Sequence, residues 1–154
     1  MLNENFRDML SAFGEAGAEY LLIGAYAMAA HGCPRATGDI DFWVRPTELN
    51  AGRVWTALER FGAPLEKVSV GDFHTPDVVY QMGVPPQRID ILTSISGVKF
   101  DDAWKNRMTV ELDGVSIAVI GLRHLHVNKL ATGRDKDQQD AKILAELLGR
   151  QQSN

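Results

Sequence analysis

Residues 21–44 read LLIGAYAMAAHGCPRATGDIDFWV, and this stretch contains the pattern that decides the fold. The apolar segment that ends at Gly24 predicts a short buried strand. The alanine-rich segment 25–31 predicts a short helix, and the segment 39–45 predicts a second strand that Pro46 closes. A strand, a short helix and a second strand in this order indicate a sheet with helices packed on it.

Two aspartates, Asp39 and Asp41, interrupt the second of these apolar strands. Side chains two positions apart on a strand share a face, so both carboxylates project together and repel each other. Their burial is costly unless a cation neutralises them, and Mg²⁺ is a hard cation that binds carboxylate oxygens. Asp90, in the segment RIDIL, has the same apolar neighbours, and three converging carboxylates can hold two metal ions. Alternatively, Asp39 is a turn residue after Thr37 and Gly38 that satisfies local backbone donors.

The remaining apolar patterns predict an α/β (α+β) domain with a mixed β-sheet flanked by helices. Helices are predicted at 4–16, 48–61, 100–107, 121–132 and 136–148, strands at 77–83 and 88–94, and a hairpin at 108–120. The hairpin prediction depends on Asp113-Gly114, the strongest turn signal in the chain. We expect one domain over residues 1–150 and a polar tail at 151–154.

The composition is that of an ordinary globular chain, with 154 residues of which 45% are hydrophobic and 23% charged. A formal net charge of −4 argues against a protein that coats nucleic acid through bulk positive charge. The single cysteine, Cys33, excludes an internal disulfide and a thiolate metal cluster. No stretch has the roughly 18 apolar residues that a membrane helix needs, and the N-terminus lacks the order of a secretory signal. We therefore expect a cytoplasmic protein without a membrane segment.

A longer motif links these features. The pair Gly24-Ala25, a spacer of thirteen residues, the run DIDF at 39–42 and the later acid Asp90 together resemble the nucleotidyltransferase superfamily, which shares the catalytic core of DNA polymerase beta. That resemblance implies a nucleotidyltransferase-like fold.

A closer resemblance is to the small bacterial nucleotidyltransferases of the abortive-infection and toxin–antitoxin type. In that group the pattern HG-x-x-R-x-T-x-DID recurs, and it matches residues 31–41. The segments 85–104 and 128–144 resemble later blocks of the same group, so the resemblance spans roughly residues 20–145.

The resemblance implies a reaction that moves NMP from an NTP to an acceptor hydroxyl, with Mg²⁺ or Mn²⁺ as cofactor. It implies that Asp39 and Asp41 hold the metals, and that Asp90 is both a metal ligand and the candidate general base. Nucleotide binding would fall to the residues Gly24, Ala25, Arg35, Lys129 and Arg134. Ala25 departs from the superfamily, which usually has Ser or a second Gly there, and Ser could hydrogen-bond a phosphate.

Several alternatives stay open at this point. Lys129 could be a solvated surface lysine, and Asp137 and Asp140 could form structural ion pairs with Lys136 or Arg134. The acceptor could be a tRNA, a protein as in toxin systems, or a small molecule such as an antibiotic, and the site could require a homodimer. The chain could also be a non-catalytic nucleotide-binding or interaction module of the same fold, such as a toxin–antitoxin component. A third alternative is a different two-metal enzyme such as a phosphodiesterase.

Overall fold

The computed structural model describes residues 2–152, except for the side chain of residue 152. This range contains six α-helices, one 3₁₀ helix and six strands. The helices are α1 Glu4–Ala16, α2 Gly24–Ala30, α3 Glu48–Phe61, α4 Phe100–Lys105, α5 Leu122–Thr132 and α6 Asp135–Gln152. The strands are β1 Tyr20–Ile23, β2 Asp39–Val44, β3 Val79–Met82, β4 Arg88–Leu92, β5 Met108–Leu112 and β6 Val115–Val119. None of the described helices is long and apolar enough to span a membrane.

The strands form one mixed sheet in the order β3-β4-β2-β1-β6-β5. The pairs β2–β4 and β1–β6 are parallel, and the other neighbouring pairs are antiparallel. This arrangement confirms the predicted mixed sheet flanked by helices. It also makes β2 and β4, the two strands that carry aspartates, direct neighbours.

Local sequence signals explain several of the element boundaries. The side chain of Asn3 caps α1 by accepting a hydrogen bond from the backbone N–H of Phe6, and Thr47 caps α3 in the same way. In the β5–β6 hairpin, Asp113 and Gly114 have φ values of 53° and 78°, which is the left-handed geometry that a tight two-residue turn requires.

Most predicted ends lie within two residues of the observed ones, and two elements depart further from the sequence-based prediction. The pattern-free stretch 62–76 contains a 3₁₀ helix, Val70–His74, which gives no periodic signal because Phe73 is its single buried residue. Helix α6 begins at Asp135 and continues through Gln152, beyond the predicted end at 148. The first half of the predicted polar tail is therefore helical, while residues 153–154 lie outside the described residues.

The two faces of the sheet have different roles. Along β2, Phe42 points to the face that α1 covers, where its ring centroid lies 5.0 Å from that of Phe13. Asp39 and Asp41 alternate with such buried residues and therefore project from the opposite face. The side of β2 that carries Phe42 thus packs into the core. On the other side Trp43 is also buried, against Phe100, while the carboxylates face a cavity.

Candidate active site

Three carboxylates meet on the open face of the sheet. Two come from β2 and one comes from the neighbouring parallel strand β4. Asp41 of β2 is the register partner of Asp90 of β4, and Asp39 lies two residues before Asp41. Each of the three offers a carboxylate oxygen, and these oxygens all lie within 4.8 Å of one another. The sequence interpretation required the two strands to be neighbours, and the structure places them so.

The carboxylate of Asp39 does not serve as a turn cap in the part of the chain that the structure describes. Its Oδ1 accepts a hydrogen bond from the hydroxyl of Thr37 at 2.9 Å, and its Oδ2 pairs with Arg88 at 2.6 Å. Within residues 2–152 no backbone N–H donates to either oxygen. The local alternative, in which Asp39 satisfies backbone donors, therefore does not account for its side chain.

Gly24 lets the junction of β1 and α2 approach Asp41 closely. Its φ is +69°, a left-handed conformation that other residues adopt only with strain. A Cβ at this position would lie 2.4 Å from Oδ2 of Asp41, much closer than a real contact allows. The glycine of the Gly24-Ala25 motif is therefore required by the space beside the carboxylate.

Arg88 also belongs to this cluster, although it was not predicted. Its Nη2 lies 2.6 Å from Oδ2 of Asp39, and its Nε lies 3.1 Å from Oδ1 of Asp90. Both carboxylates raise the pKa of Arg88, with the hydrogen bond to Asp39 as the largest cause. The signal was present in the segment RIDIL, because Arg88 and Asp90 are two apart on a strand and must share a face.

The surroundings of Asp41 disfavour its ionisation. Burial is the largest cause, followed by the charge of Asp39 and the contact with Asp90, and together they raise the pKa of Asp41 to about 7. Three ionised carboxylates and one guanidinium would leave a formal charge of −2. Oxygen ligands with this excess charge suit a divalent cation such as Mg²⁺ or Mn²⁺, so the residues present fit the metal that the resemblance implies.

The carboxylates open into a cavity of about 630 Å³. Gly24 and Ala25 line it beside Asp41. Helices α5 and α6 and the turn between them supply a second wall with three cations, Lys129, Arg134 and Lys136, and one acid, Asp137. An acidic floor and a basic wall therefore face the same space. This pairing can hold a metal ion at the floor and an anionic group between the floor and the wall.

Lys129 is held inside a buried ion-pair network. Only 8% of the residue is exposed, and its Nζ lies 3.1 Å from Oδ1 of Asp137 and 3.0 Å from Oδ2 of Asp140. Burial opposes the ionisation of Asp137, but hydrogen bonds from Thr132 and Lys129 outweigh it and place the pKa of Asp137 below its usual value. Asp137 and Asp140 thus form ion pairs, but of the predicted partners only Arg134 pairs with Asp137, and Asp140 pairs with Lys129 and Arg35 instead.

The two predicted arginines lie at opposite ends of this network. Arg134 donates from Nε to Oδ2 of Asp137 at 2.7 Å, yet its side chain is 75% exposed and lines the cavity. Arg35 pairs with the buried Asp140 and is not among the residues that line the cavity. The structure therefore brings Gly24, Ala25, Lys129 and Arg134 to the cavity but ties Arg35 to α6 instead.

A mixed sheet with three acids on neighbouring strands, next to a glycine at the start of a short helix, is the arrangement that the resemblance to the nucleotidyltransferase superfamily implies. The chain belongs to the family described as "Nucleotidyl transferase of unknown function (DUF2204)", which matches residues 2–154. The superfamily resemblance seen in the sequence is thereby confirmed.

The fold is similar to the crystal structure of a candidate nucleotidyltransferase from Thermotoga maritima, with a TM-score of 0.63. The two sequences are 18% identical, and the match covers 94% of this chain and 91% of that one. At this identity the likeness is one of fold. No curated protein matches the sequence.

Proposed function

We propose that this protein is a metal-dependent nucleotidyltransferase that moves NMP from an NTP to an acceptor hydroxyl and releases pyrophosphate. The observation that carries the proposal is the approach of Asp39, Asp41 and Asp90 to within 4.8 Å on one wall of a cavity whose other wall is cationic. Membership of a nucleotidyl transferase family supports the same reaction class.

In this proposal the three carboxylates hold the divalent cation, and their positions on rigid neighbouring strands keep them preorganised for it. When bound, the metal neutralises the triphosphate and lowers the pKa of an attacking hydroxyl. Thr37 helps to orient Asp39 through its hydroxyl hydrogen bond. Gly24 keeps the space beside Asp41 open for the ligand.

Asp90 is the candidate general base that accepts the proton of the acceptor hydroxyl. It is buried, with 6% of the residue exposed, and lies between Asp41 on β2 and its register partner Gln81 on β3. Gln81 also lines the cavity, so an acceptor can reach Asp90 from the β3 side. A base must lie within hydrogen-bond reach of the proton that it takes, and this side of the cavity offers that approach.

The triphosphate would lie against the cationic wall. Lys136 is exposed at the cavity and can turn freely to phosphate oxygens. Arg134, whose side chain is 75% exposed, can offer its terminal nitrogens to a phosphate while its Nε stays paired with Asp137. Lys129 contributes positive charge from its buried position while its Nζ remains paired with Asp137 and Asp140. Electrostatic stabilisation of this kind does not require a direct contact between the charge and the phosphate.

The proposal also includes the class of acceptor molecule and the oligomeric state of the protein. A tRNA, a protein hydroxyl and a small molecule such as an antibiotic are the three acceptor classes to test. A role in a toxin–antitoxin system predicts the protein acceptor. A homodimer would add a second surface to the cavity, and solution mass by light scattering measures whether it forms.

The test incubates the protein with each α-labelled NTP, Mg²⁺ or Mn²⁺, and cell extract, followed by fractionation of the label. Transfer should be lost in Asp41→Asn and Asp90→Asn and retained in Asp8→Asn, which makes the same change on the exposed surface of α1. Binding of the metal nucleotide without transfer to any acceptor would instead indicate a non-catalytic nucleotide-binding module. Failure to bind a metal nucleotide would refute the proposed site.

A further inference from the structure

Arg88 occupies the oxygens that a metal ion would use. Its Nη2 lies 2.6 Å from Oδ2 of Asp39 and 3.3 Å from Oδ2 of Asp90, and its Nε lies 3.1 Å from Oδ1 of Asp90. The guanidinium therefore bridges two of the three carboxylates. Asp41 is left outside this bridge and has no ion pair among the described residues.

The backbone fixes where the side chain of Arg88 begins, but not where the guanidinium must stay. Arg88 opens β4 and is the register partner of Asp39, which places its Cα directly beside the carboxylates. Its side chain is 31% exposed and lines the cavity. A long side chain at a solvent-accessible edge can change its rotamer without disturbing the core.

The guanidinium and a divalent cation exclude one another at this position. Both seek the same carboxylate lone pairs, and two positive charges a few ångströms apart repel strongly when they are partly shielded from water. An anionic phosphate in the same cavity is the other group that a guanidinium binds well, through two parallel hydrogen bonds. Arg88 thus has a second partner within reach whenever a nucleotide enters.

We propose that Arg88 is a positioning residue that competes with the divalent cation for Asp39 and Asp90, and that it turns to a phosphate of the nucleotide when the cation binds. The inference rests on the proposed function, because it requires that the acidic cluster binds a metal. It adds that metal and nucleotide enter together: the metal replaces Arg88 at the carboxylates, and the phosphates take up the released guanidinium.

The first test measures the binding of Mn²⁺ alone, without nucleotide, by the electron paramagnetic resonance signal of free Mn²⁺. Arg88→Gln should bind Mn²⁺ roughly tenfold more tightly than the wild type, because the variant removes two partly exposed ion pairs and one repelling charge. Arg88→Lys, which keeps the charge, should stay close to the wild type. Equal or weaker Mn²⁺ binding in Arg88→Gln would refute the proposal that Arg88 competes with the metal. An arginine that only held the carboxylates in place would aid Mn²⁺ binding, and its loss would not tighten it.

The second test measures, by calorimetry, how tightly protein already saturated with Mn²⁺ binds the Mn²⁺ complexes of the four α,β-nonhydrolysable NTP analogues, so that Arg88 has left the carboxylates of the wild type before the nucleotide binds. Here Arg88→Gln should bind roughly tenfold more weakly, as expected when a charged hydrogen bond to phosphate is lost. An unchanged nucleotide affinity in Arg88→Gln would refute the proposal that the guanidinium moves to a phosphate. Thermal unfolding followed by circular dichroism verifies that both variants are folded.

The two tests also separate this inference from the proposed function. If the wild type binds Mn²⁺ and transfers label, but Arg88→Gln binds Mn²⁺ no more tightly, only the role of Arg88 is refuted. If neither protein binds Mn²⁺ and neither transfers label, the metal site itself is refuted, and the inference with it.

Discussion

Asp41 and Asp90 face each other across the parallel strands β2 and β4 as register partners, and their carboxyl groups are in contact. In such a pair the protonated form of one acid can donate a hydrogen bond to the other. The pair therefore retains a proton near neutral pH unless a cation takes its place. Together with burial and the charge of Asp39, this contact explains why the pKa of Asp41 is raised to about 7.

The raised pKa predicts that the protein becomes less stable as the pH rises from about 4 to about 7. In that range the folded chain keeps a proton on Asp41 that the unfolded chain has lost, because an ordinary aspartate ionises near pH 3.9. The folded state binds more protons, so its stability falls with increasing pH and levels off above about pH 7. In EDTA, the melting temperature should be about 5 °C or more higher at pH 5.5 than at pH 8.

Asp41→Asn is the matched variant for this measurement. It removes the titrating group, so the difference between the two pH values should shrink, and the variant should melt above the wild type at pH 8. Added Mn²⁺ should stabilise the wild type more at pH 8 than at pH 5.5, because the metal requires the ionised carboxylate. A wild-type melting temperature that rises from pH 5.5 to pH 8 in EDTA would contradict the raised pKa.

Asp90→Asn should reduce nucleotide transfer more than it reduces nucleotide binding. An amide keeps the shape of the carboxylate but cannot accept the proton of the acceptor hydroxyl, and loss of a general base typically costs about 100-fold or more in rate. Label transfer at saturating Mg²⁺ and NTP measures the first effect, and calorimetry with a nonhydrolysable analogue measures the second. Transfer within a few-fold of the wild type would remove Asp90 from the role of base.

Lys129→Met should destabilise the fold by at least about 2 kcal/mol, because it leaves two buried carboxylates short of a cation. Asp137 and Asp140 are 2% and 1% exposed, and each keeps only one arginine partner in the variant. Lys136→Met is the control for stability, since Lys136 is exposed and should change it by less than about 0.5 kcal/mol. Urea unfolding compares the two, and equal midpoints would show that Lys129 is not a structural residue.

Gly24→Ala should abolish metal binding as well as destabilise the protein. The new Cβ would lie only 2.4 Å from Oδ2 of Asp41 and would collide with it. The left-handed backbone adds strain of about 1 kcal/mol or more. Gly32→Ala is the matched control. Gly32 has a φ of +92° but nothing within 4 Å of its Cβ position, so it carries the strain without the collision. Retained Mn²⁺ binding in Gly24→Ala would show that Asp41 can move aside.

The acidic cluster could be predicted from the sequence because its signals are local. Spacing of two places Asp39 and Asp41 on one face, and apolar neighbours place Asp90 in a second buried strand. Their proximity needed one further fact, that β2 and β4 are neighbours, and the superfamily resemblance implied it. Arg88 was missed, although its spacing to Asp90 is a local signal. Its contact with Asp39, 49 residues away, follows only from the register of the two strands.

The cations could be predicted less well than the acids. Lys129 and Arg134 lie at the cavity as expected, but Arg35 pairs with Asp140, more than one hundred residues further along the chain. The same Asp140 also pairs with Lys129, so one buried carboxylate orients both the Arg35 and the Lys129 side chain. No spacing rule reports such a shared partner, because it follows from the packing of α6 against the rest of the fold.

Ala25→Ser restores the residue that the superfamily usually has after the glycine, and it should raise nucleotide affinity about fivefold. Ala25 lines the cavity, so a hydroxyl there can donate a hydrogen bond to a phosphate, which is worth about 1 kcal/mol or more. Ala30→Ser is the matched control, because Ala30 lies on the same helix but lines a separate apolar cleft. Calorimetry with nonhydrolysable NTP analogues and Mg²⁺ measures both variants. Unchanged or weaker binding in Ala25→Ser would mean that the phosphates do not pass this end of α2, and the nucleotide would then have to lie wholly against α5 and α6.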